Sequence, residues 1–252
     1  MISKAKIKYI QSLEKKKFRL KYGVFVAEGN KMVGDMLEAG FDCALIAAKP
    51  SWMAQQGDIK VDELIEADNE DLHKASFLVH PQDVLGVFRI PEWDLSLVEG
   101  KTQLLLALDG IQDPGNLGTI IRLADWFGLS DIVCSMDTVD VFNPKTVQAT
   151  MGALAHVKVH YVDMEAFLDK EKAESIPIYG TTLDGDNMYT KTLTSTGIIV
   201  MGNEGQGIRP SILQRINEKL FIPNYAKGRS SAESLNVAIA TAVVCAEFRR
   251  RN

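Results

Sequence analysis

The chain has 252 residues, 46% of them hydrophobic and 24% charged, with a formal net charge of −5. This is a globular composition, enough for one large domain or two ordinary ones. No apolar run approaches the roughly 18 to 20 residues of a membrane span. The basic start lacks the apolar h-region and small-residue cleavage site of a signal peptide, so none is expected. Cys43, Cys134 and Cys245 stand far apart with no CxxC, which reads as reduced, buried thiols in a cytoplasmic protein.

The charge is unevenly placed. Between Met1 and Lys31 there are nine Lys or Arg and only two acids, Glu14 and Glu28, and Arg249, Arg250 and Arg251 lie at the other end. Such basic ends can supply phosphate contacts even on an acidic protein, although a Lys run is more often a solvated helix face.

In chain order, Lys4–Lys21 reads as a helix with a polar face and Tyr22–Gly29 as an alternating strand. "NKMVGDMLEAG" is a short helix stopped at Gly40, "CALIAAK" a strand, "IKVDELIEADNEDLHKAS" mostly helical and "QDVLGVFRIPEW" strand-like. Residues 1–95 thus form a small α/β/α unit, and Pro91–Gly100 connects it to a second unit over 101–252. There "TQLLLALDG" has the continuous apolar character of a strand buried on both faces. A loop, "IQDPGNLG", and a helix, "TIIRLADWFGL", follow, then the strand "DIVCSM". Phe142–Leu154 reads as helical, "HVKVHYV" as a strand and "MEAFLDKEKAES" as an amphipathic helix. "IPIYGTTL" and "TGIIVMG" are buried strands, "RPSILQRINEKL" a helix, "LFIP" a last strand, and Ser234–Arg251 the closing helix. The alternation predicts an α/β fold with a mostly parallel sheet covered on both faces.

Ligands of such sheets sit outside the carboxyl ends of the strands. Three strand ends here are rich in glycine or polar residues: Asp109–Arg122, Met201–Ile208 and Phe221–Val244. The glycines would let backbone approach a ligand. "GNEGQG" is not the G-x-G-x-x-G of a dinucleotide site, and no phosphate-binding G-x-x-x-x-G-K-[ST] occurs. His156 and His160 lie in a strand-like segment with no third ligand in view, so no metal site is expected.

"NLGTIIR", "GNEGQGI" and "IPNYAKGRSSAESLNVA", in that order, resemble the three motifs of the SpoU (TrmH-like) family of RNA ribose 2′-O-methyltransferases. The resemblance covers Lys101–Asn252. "RLKYGVFVAEGNKMVGDMLEAG" looks like that family's substrate-binding domain, whose fold is similar to ribosomal protein L30e. The loop between Pro223 and Glu233 is longer than the family's usual form. The resemblance implies a deep trefoil knot near the C-terminus, S-adenosyl-L-methionine as cofactor, and a homodimer with the active site at its interface. The substrate would be structured RNA, ribosomal (23S) RNA in preference to transfer RNA.

It also implies roles. Gly202, Ile222 and Leu235 would hold the cofactor largely through backbone, with Gly207 and Pro223 shaping the loops; from the residues alone Ile222 and Leu235 read as core. Arg122 would be the main catalytic residue. A guanidinium does not readily lose a proton, so stabilising the forming alkoxide and pinning a phosphate suits it better than acting as base. Asn116 would orient Arg122 or the ribose, or simply serve a turn. Glu204 would anchor Arg122 of a partner chain, hold its own loop, or be a solvated turn acid. Ser234 is placed as helix N-cap and Asn236 inside the first turn, where it needs no cap, so both are expected to face the ribose as well. For RNA, Arg19, Lys145 of "NPK", and Lys227 and Arg229 of the long loop are candidates; Glu28 reads as structural. A non-catalytic RNA-binding protein of the same fold and a nucleotide-binding oxidoreductase are the competing readings.

Overall fold

The computed structural model describes residues 1–226 and 234–251. It divides into two compact units, Met1–Glu92 with Asp140–His156, and Trp93–Val139 with the chain from Val157 onward.

In the first unit, α1 (Lys4–Ser12) and α2 (Lys16–Tyr22) replace the single helix expected. The break follows from packing: Leu13 is fully buried, and Lys15 turns to an extended conformation to start α2. Strand β1 (Val24–Glu28) leads to α3 (Asn30–Glu38), β2 (Cys43–Ala48) and the short α4 (Pro50–Met53). The stretch expected to be mostly helical is a strand, β3 (Leu64–Glu66), followed by α5 (Asn69–Ala75). The last strand is β4 (Val84–Arg89). The sheet order is β1-β4-β2-β3. It is mixed, because β4 runs antiparallel to both its neighbours and only β2 and β3 are parallel. Glu28 ends β1 and accepts from Ser76 Oγ and from Phe77 N at 2.9 Å, which ties the end of α5 to the sheet.

In the second unit β5 (Leu104–Asp109), α6 (Pro114–Trp126) and β6 (Asp131–Ser135) follow the expected order. The chain then gives α7 (Pro144–Thr150) to the first unit's packing. That helix is shorter than expected, because Met151 and Gly152 take positive φ of 53° and 100°. β7 (Lys158–Val162), α8 (Met164–Ala173), β8 (Ile178–Asn187) and β9 (Gly197–Gly202) return to the second unit. The helix expected over 209–220 stops as α9 (Pro210–Leu213) and the chain becomes β10 (Glu218–Phe221). Asn217 forces the change, since its backbone N–H donates to Ile178 O and its Oδ1 accepts from Ile178 N, which recruits the segment to the sheet. The closing helix α10 spans Val237–Arg251.

The six strands lie in the order β10-β8-β9-β5-β6-β7, and every pairing is parallel. All six residues of β5 are buried, as a central strand covered on both faces requires. Leu105, Ala107, Val133, Ile198 and Val200 pack against Phe167, Leu168 and Ile212. Each such Leu or Val contributes about 1.5–3 kcal/mol on burial. Because all strands run the same way, their carboxyl ends share one edge. The loops after β5, β9 and β10 therefore emerge together.

Burial pushes the Cys43 and Cys245 thiols up to about 12, and Cys134 higher still. No described helix is long and apolar enough to cross a membrane.

Candidate functional site

The loop after β5 is shaped by its own chemistry. Gly110 takes φ of 72°, a left-handed turn that suits glycine. Asp113 caps α6, its Oδ1 accepting from Asn116 N at 2.7 Å, and Pro114 fills the first helical position. Gln112 Nε2 donates to Asp137 O at 2.8 Å.

The loop after β9 folds onto the loop after β5. Asn203 Oδ1 accepts from the N–H groups of Gly205 (2.9 Å) and Gln206 (3.0 Å), and its Nδ2 donates to Gly110 O at 2.7 Å. Asn203 and Gly207 exchange backbone hydrogen bonds of 3.0 and 2.9 Å. A Cβ on Gly202 would come within 2.3 Å of the Gly207 and Ile208 backbone, so this glycine serves the closure of its own loop. The far side of the loop is clamped: Arg209 donates to both oxygens of buried Asp109, through its backbone N–H at 2.8 Å and through Nε at 2.7 Å.

Glu204 is exposed at the tip of that loop. Its carboxylate accepts from Gln112 N and Asp113 N, both at 3.3 Å, and from Asn116 Nδ2 at 3.0 Å. Partial burial pushes its pKa up, but these hydrogen bonds to the charged form outweigh that, and the carboxyl lies below the usual glutamate value. Of the three roles open for Glu204, the structure shows it holding loops; it pairs with Asn116, not with Arg122 of its own chain.

Asn236 corrects an expectation. The closing helix begins at Val237, not Ser234, and Asn236 is its cap: Oδ1 accepts from Ala238 N at 2.9 Å and Ile239 N at 3.3 Å. Its Nδ2 donates to Asn116 Oδ1 at 2.9 Å. A chain of hydrogen bonds therefore runs Asn236→Asn116→Glu204 through all three motifs. Its direction is fixed at both ends. Backbone N–H donors force the Asn236 oxygen towards α10, and a carboxylate can only accept, which forces the Asn116 NH₂ towards Glu204.

The remaining expected residues are placed as follows. Arg122 lies on α6, exposed, with no hydrogen bond or ion pair among the described residues. Ser234 is exposed in the bend before α10. Leu235 is 51% exposed, which removes the core reading for it, and Ile222 and Pro223 are half-buried just beyond β10. Lys145 is exposed on α7, in the first unit's packing. Lys227 and Arg229 lie outside the described residues. Arg19 corrects its expectation as an RNA contact: it is 2% exposed, and its guanidinium donates to Leu13 O, Glu14 O and the Asp140 carboxylate. Arg249 and Arg250 are likewise engaged, the first by Phe127 O and Gly128 O at the end of α6, the second by Glu247. His160 Nε2 meets Asp131 Oδ1 at 2.9 Å. Among the described residues no group of three or more His, Cys, Asp or Glu could hold a metal ion.

Four residues of the site went unsingled in the sequence: Asp109, Gln112, Asn203 and Arg209. Asn203 carried a signal, an Asn two residues before Gly in a turn. The Asp109–Arg209 clamp joins residues 100 apart and has no local signature.

Residues 103–246 match the family model described as the SpoU rRNA methylase family. The chain belongs to that family. Residues 4–86 match an MRM3-like substrate binding domain. Among relatives of this SpoU chain is the 23S rRNA (guanosine(2553)-2'-O)-methyltransferase RlmP of Bacillus subtilis, 32% identical over 97% of this chain and 96% of the relative. A solved structure of the TrmH family from Porphyromonas gingivalis is 39% identical, covers 100% of both chains and superposes with a TM-score of 0.91. An AdoMet-bound rRNA methyltransferase from Sinorhizobium meliloti is 30% identical over 99% of this chain and 97% of that one, with a TM-score of 0.85. The SpoU chain is an RNA methyltransferase and its cofactor is S-adenosylmethionine.

The residues present fit that cofactor. Leu235 is an apolar side chain left half uncovered by the chain's own atoms, and Ile222 and Pro223 are partly so at the same sheet edge. They would hold it by apolar contact and backbone groups, without an ion pair.

Proposed function

We propose that this enzyme methylates a ribose 2′-hydroxyl of structured RNA, ribosomal (23S) RNA rather than transfer RNA. The observation that carries the reading is the Asn236–Asn116–Glu204 chain, which ties the three motif loops together at the carboxyl edge, while Arg122 has no partner among the described residues. When bound, the cofactor would supply an electrophilic methyl group, its sulfur keeping the bonding electron pair. The protein must place the 2′-oxygen in line and stabilise the charge that develops as its proton leaves. Arg122 donates to that oxygen and to an adjacent RNA phosphate, which accepts the proton. Glu204, Asn116 and Asn236 hold the loops that position substrate and cofactor; Gly202 and Gly207 allow the loop after β9 to close, and Ser234 faces the ribose.

In the same reading, residues 1–95 form an L30e-like substrate-binding domain and 101–252 the catalytic domain, with a deep trefoil knot. Knots are otherwise nearly absent from proteins; the family resemblance supports this one. The enzyme works as a homodimer with the active site at its interface. Trp126, 84% exposed one turn beyond Arg122 on α6, and Ile239, 55% exposed on α10, are large apolar side chains of the kind a second copy would cover. It would act in the cytoplasm, on RNA reached by Lys145 and Arg229.

The test is transfer of labelled methyl from S-adenosylmethionine to RNA from cells lacking the gene. Label in the large-subunit fraction supports the reading, and label in transfer RNA alone overturns the substrate. Arg122→Ala and Arg122→Lys should each lose about 10²- to 10³-fold in rate with unchanged melting. An Arg122→Lys enzyme of near-normal rate refutes the forked donor role.

A further inference from the structure

The first unit carries an unusual surface on α1 and α2. Lys4, Lys8, Lys15, Lys16, Lys17 and Lys21 are all exposed, and none has a carboxylate partner among the described residues; Lys6 alone of this stretch is paired, to Glu63. These six lysines, five on the two short helices and Lys15 in the turn between them, contrast with a chain of net charge −5. The face also has a second chemistry. The Tyr9 ring meets Tyr22 edge-on at 5.2 Å, and Phe18 lies nearly parallel to Tyr22 at 6.3 Å. Each ring has an ammonium near it: Lys6 over Tyr9 at 5.9 Å, Lys17 over Phe18 at 4.9 Å and Lys21 over Tyr22 at 5.3 Å. Tyr22 remains 43% exposed.

Buried Arg19 braces the turn between the two helices. Its Nη1 donates to the carbonyls of Leu13 and Glu14 at 2.8 and 2.7 Å, in the turn between the two helices, and Asp140 neutralises it at 2.6 Å. The residue expected to touch RNA is instead the bracket on which the lysines stand.

We propose that the α1–α2 face is where the first unit grips its RNA, the free lysines on backbone phosphates and Tyr22 stacked on an unpaired base. Phosphate neutralisation and base stacking on an aromatic platform are the two interactions that single-stranded and looped RNA offers, and both groups occur here side by side. Tyr9 and Phe18 pack partly on the unit's core, and Tyr22 is the ring of the three left open to a base. The proposal rests on the RNA methyltransferase reading and specifies where that enzyme holds its substrate.

The experiment measures binding of the intact protein to a short RNA hairpin, and methyl transfer to large-subunit RNA, between about 50 and 200 mM salt. Lys16→Glu/Lys17→Glu is compared with Lys101→Glu/Lys170→Glu, an equal charge change on exposed lysines of the second unit. The first pair should weaken binding at least ~10-fold and flatten the log–log salt slope by about 2; the second should leave the slope unchanged. Tyr22→Leu should weaken binding at least ~5-fold without altering the slope. In transfer assays the lysine pair should raise KM and leave cofactor affinity intact. Equal affinities and slopes for the two charge-reversed proteins overturn the proposal, even if the wild type methylates RNA. Absence of transfer by the wild type sinks the enzymatic reading instead, and the hairpin binding still judges the face.

Discussion

Replacing Asn236 by Asp separates two functions that one amide performs. The Asp oxygen still accepts from Ala238 N and Ile239 N, and its charge favours the N-terminus of α10 by about 0.3–1 kcal/mol. The donor to Asn116 Oδ1 is lost, leaving two acceptors where a 2.9 Å hydrogen bond had been. Turning the Asn116 amide over does not help, because its oxygen would then face the Glu204 carboxylate. Asn236→Ala, by contrast, loses the cap, about 1 kcal/mol, and the hydrogen bond, about 1 kcal/mol more. The Ala variant should therefore melt about 4–8 °C below wild type, and the Asp variant within about 2 °C of it. Methyl transfer should fall about 10- to 100-fold in both, since small misplacements of positioning groups carry such costs. Thermal melting and single-turnover transfer on the same preparations check this. An Asp variant that melts as low as the Ala variant, or that turns over like wild type, refutes the two-function account.

Glu204 sits below its usual pKa, so its charged form stabilises the fold above the unfolded value, and that contribution is lost as pH falls through the folded value. Glu204→Gln should thus be less stable than wild type near neutrality, with the gap closing below about pH 4; a gap that does not change with pH refutes it. Trp126→Glu places a charge on the exposed face of α6 and should convert the proposed dimer to monomer in sedimentation, with transfer falling in step. A wild type that sediments as monomer at assay concentration overturns the dimer itself.

The strand ends were legible because glycine, Asn and Asp cluster directly after the apolar runs of β5 and β9. Motif order then supplied what periodicity could not, the grouping of Asn116, Glu204 and Asn236. Local pattern failed where a distant partner decides conformation. Asn217 reads as helical in "RPSILQRINEKL" until Ile178 claims both its polar groups. β3 is only Leu64–Glu66 and is held by parallel pairing to Ile46–Ala48, too short to show alternation. Arg19 looked like part of a basic run, and only Asp140, 121 residues on, reveals it as buried. The start of α10 was misread by three residues for a smaller reason: Ser and Asn are both good caps, and the sequence offers each in turn.

The polarity of the Asn116 amide bears most directly on catalysis. An Asn side chain has two donors and two lone pairs. Here one donor is committed to Glu204 and one lone pair to Asn236, so neither end can flip. Whatever ribose or cofactor group meets Asn116 finds an N–H on the Glu204 side and an oxygen on the Asn236 side, before binding and without reorganisation. That is the kind of fixed dipole that favours a charge-developing transition state over the ground state. It also explains why the three motifs must occur together: each supplies one member of a chain whose direction is set by a helix N-terminus at one end and a carboxylate at the other. Arg122, exposed on the same helix as Asn116 and with no ion pair among the described residues, is in the proposed reading the cation that the developing negative charge would meet.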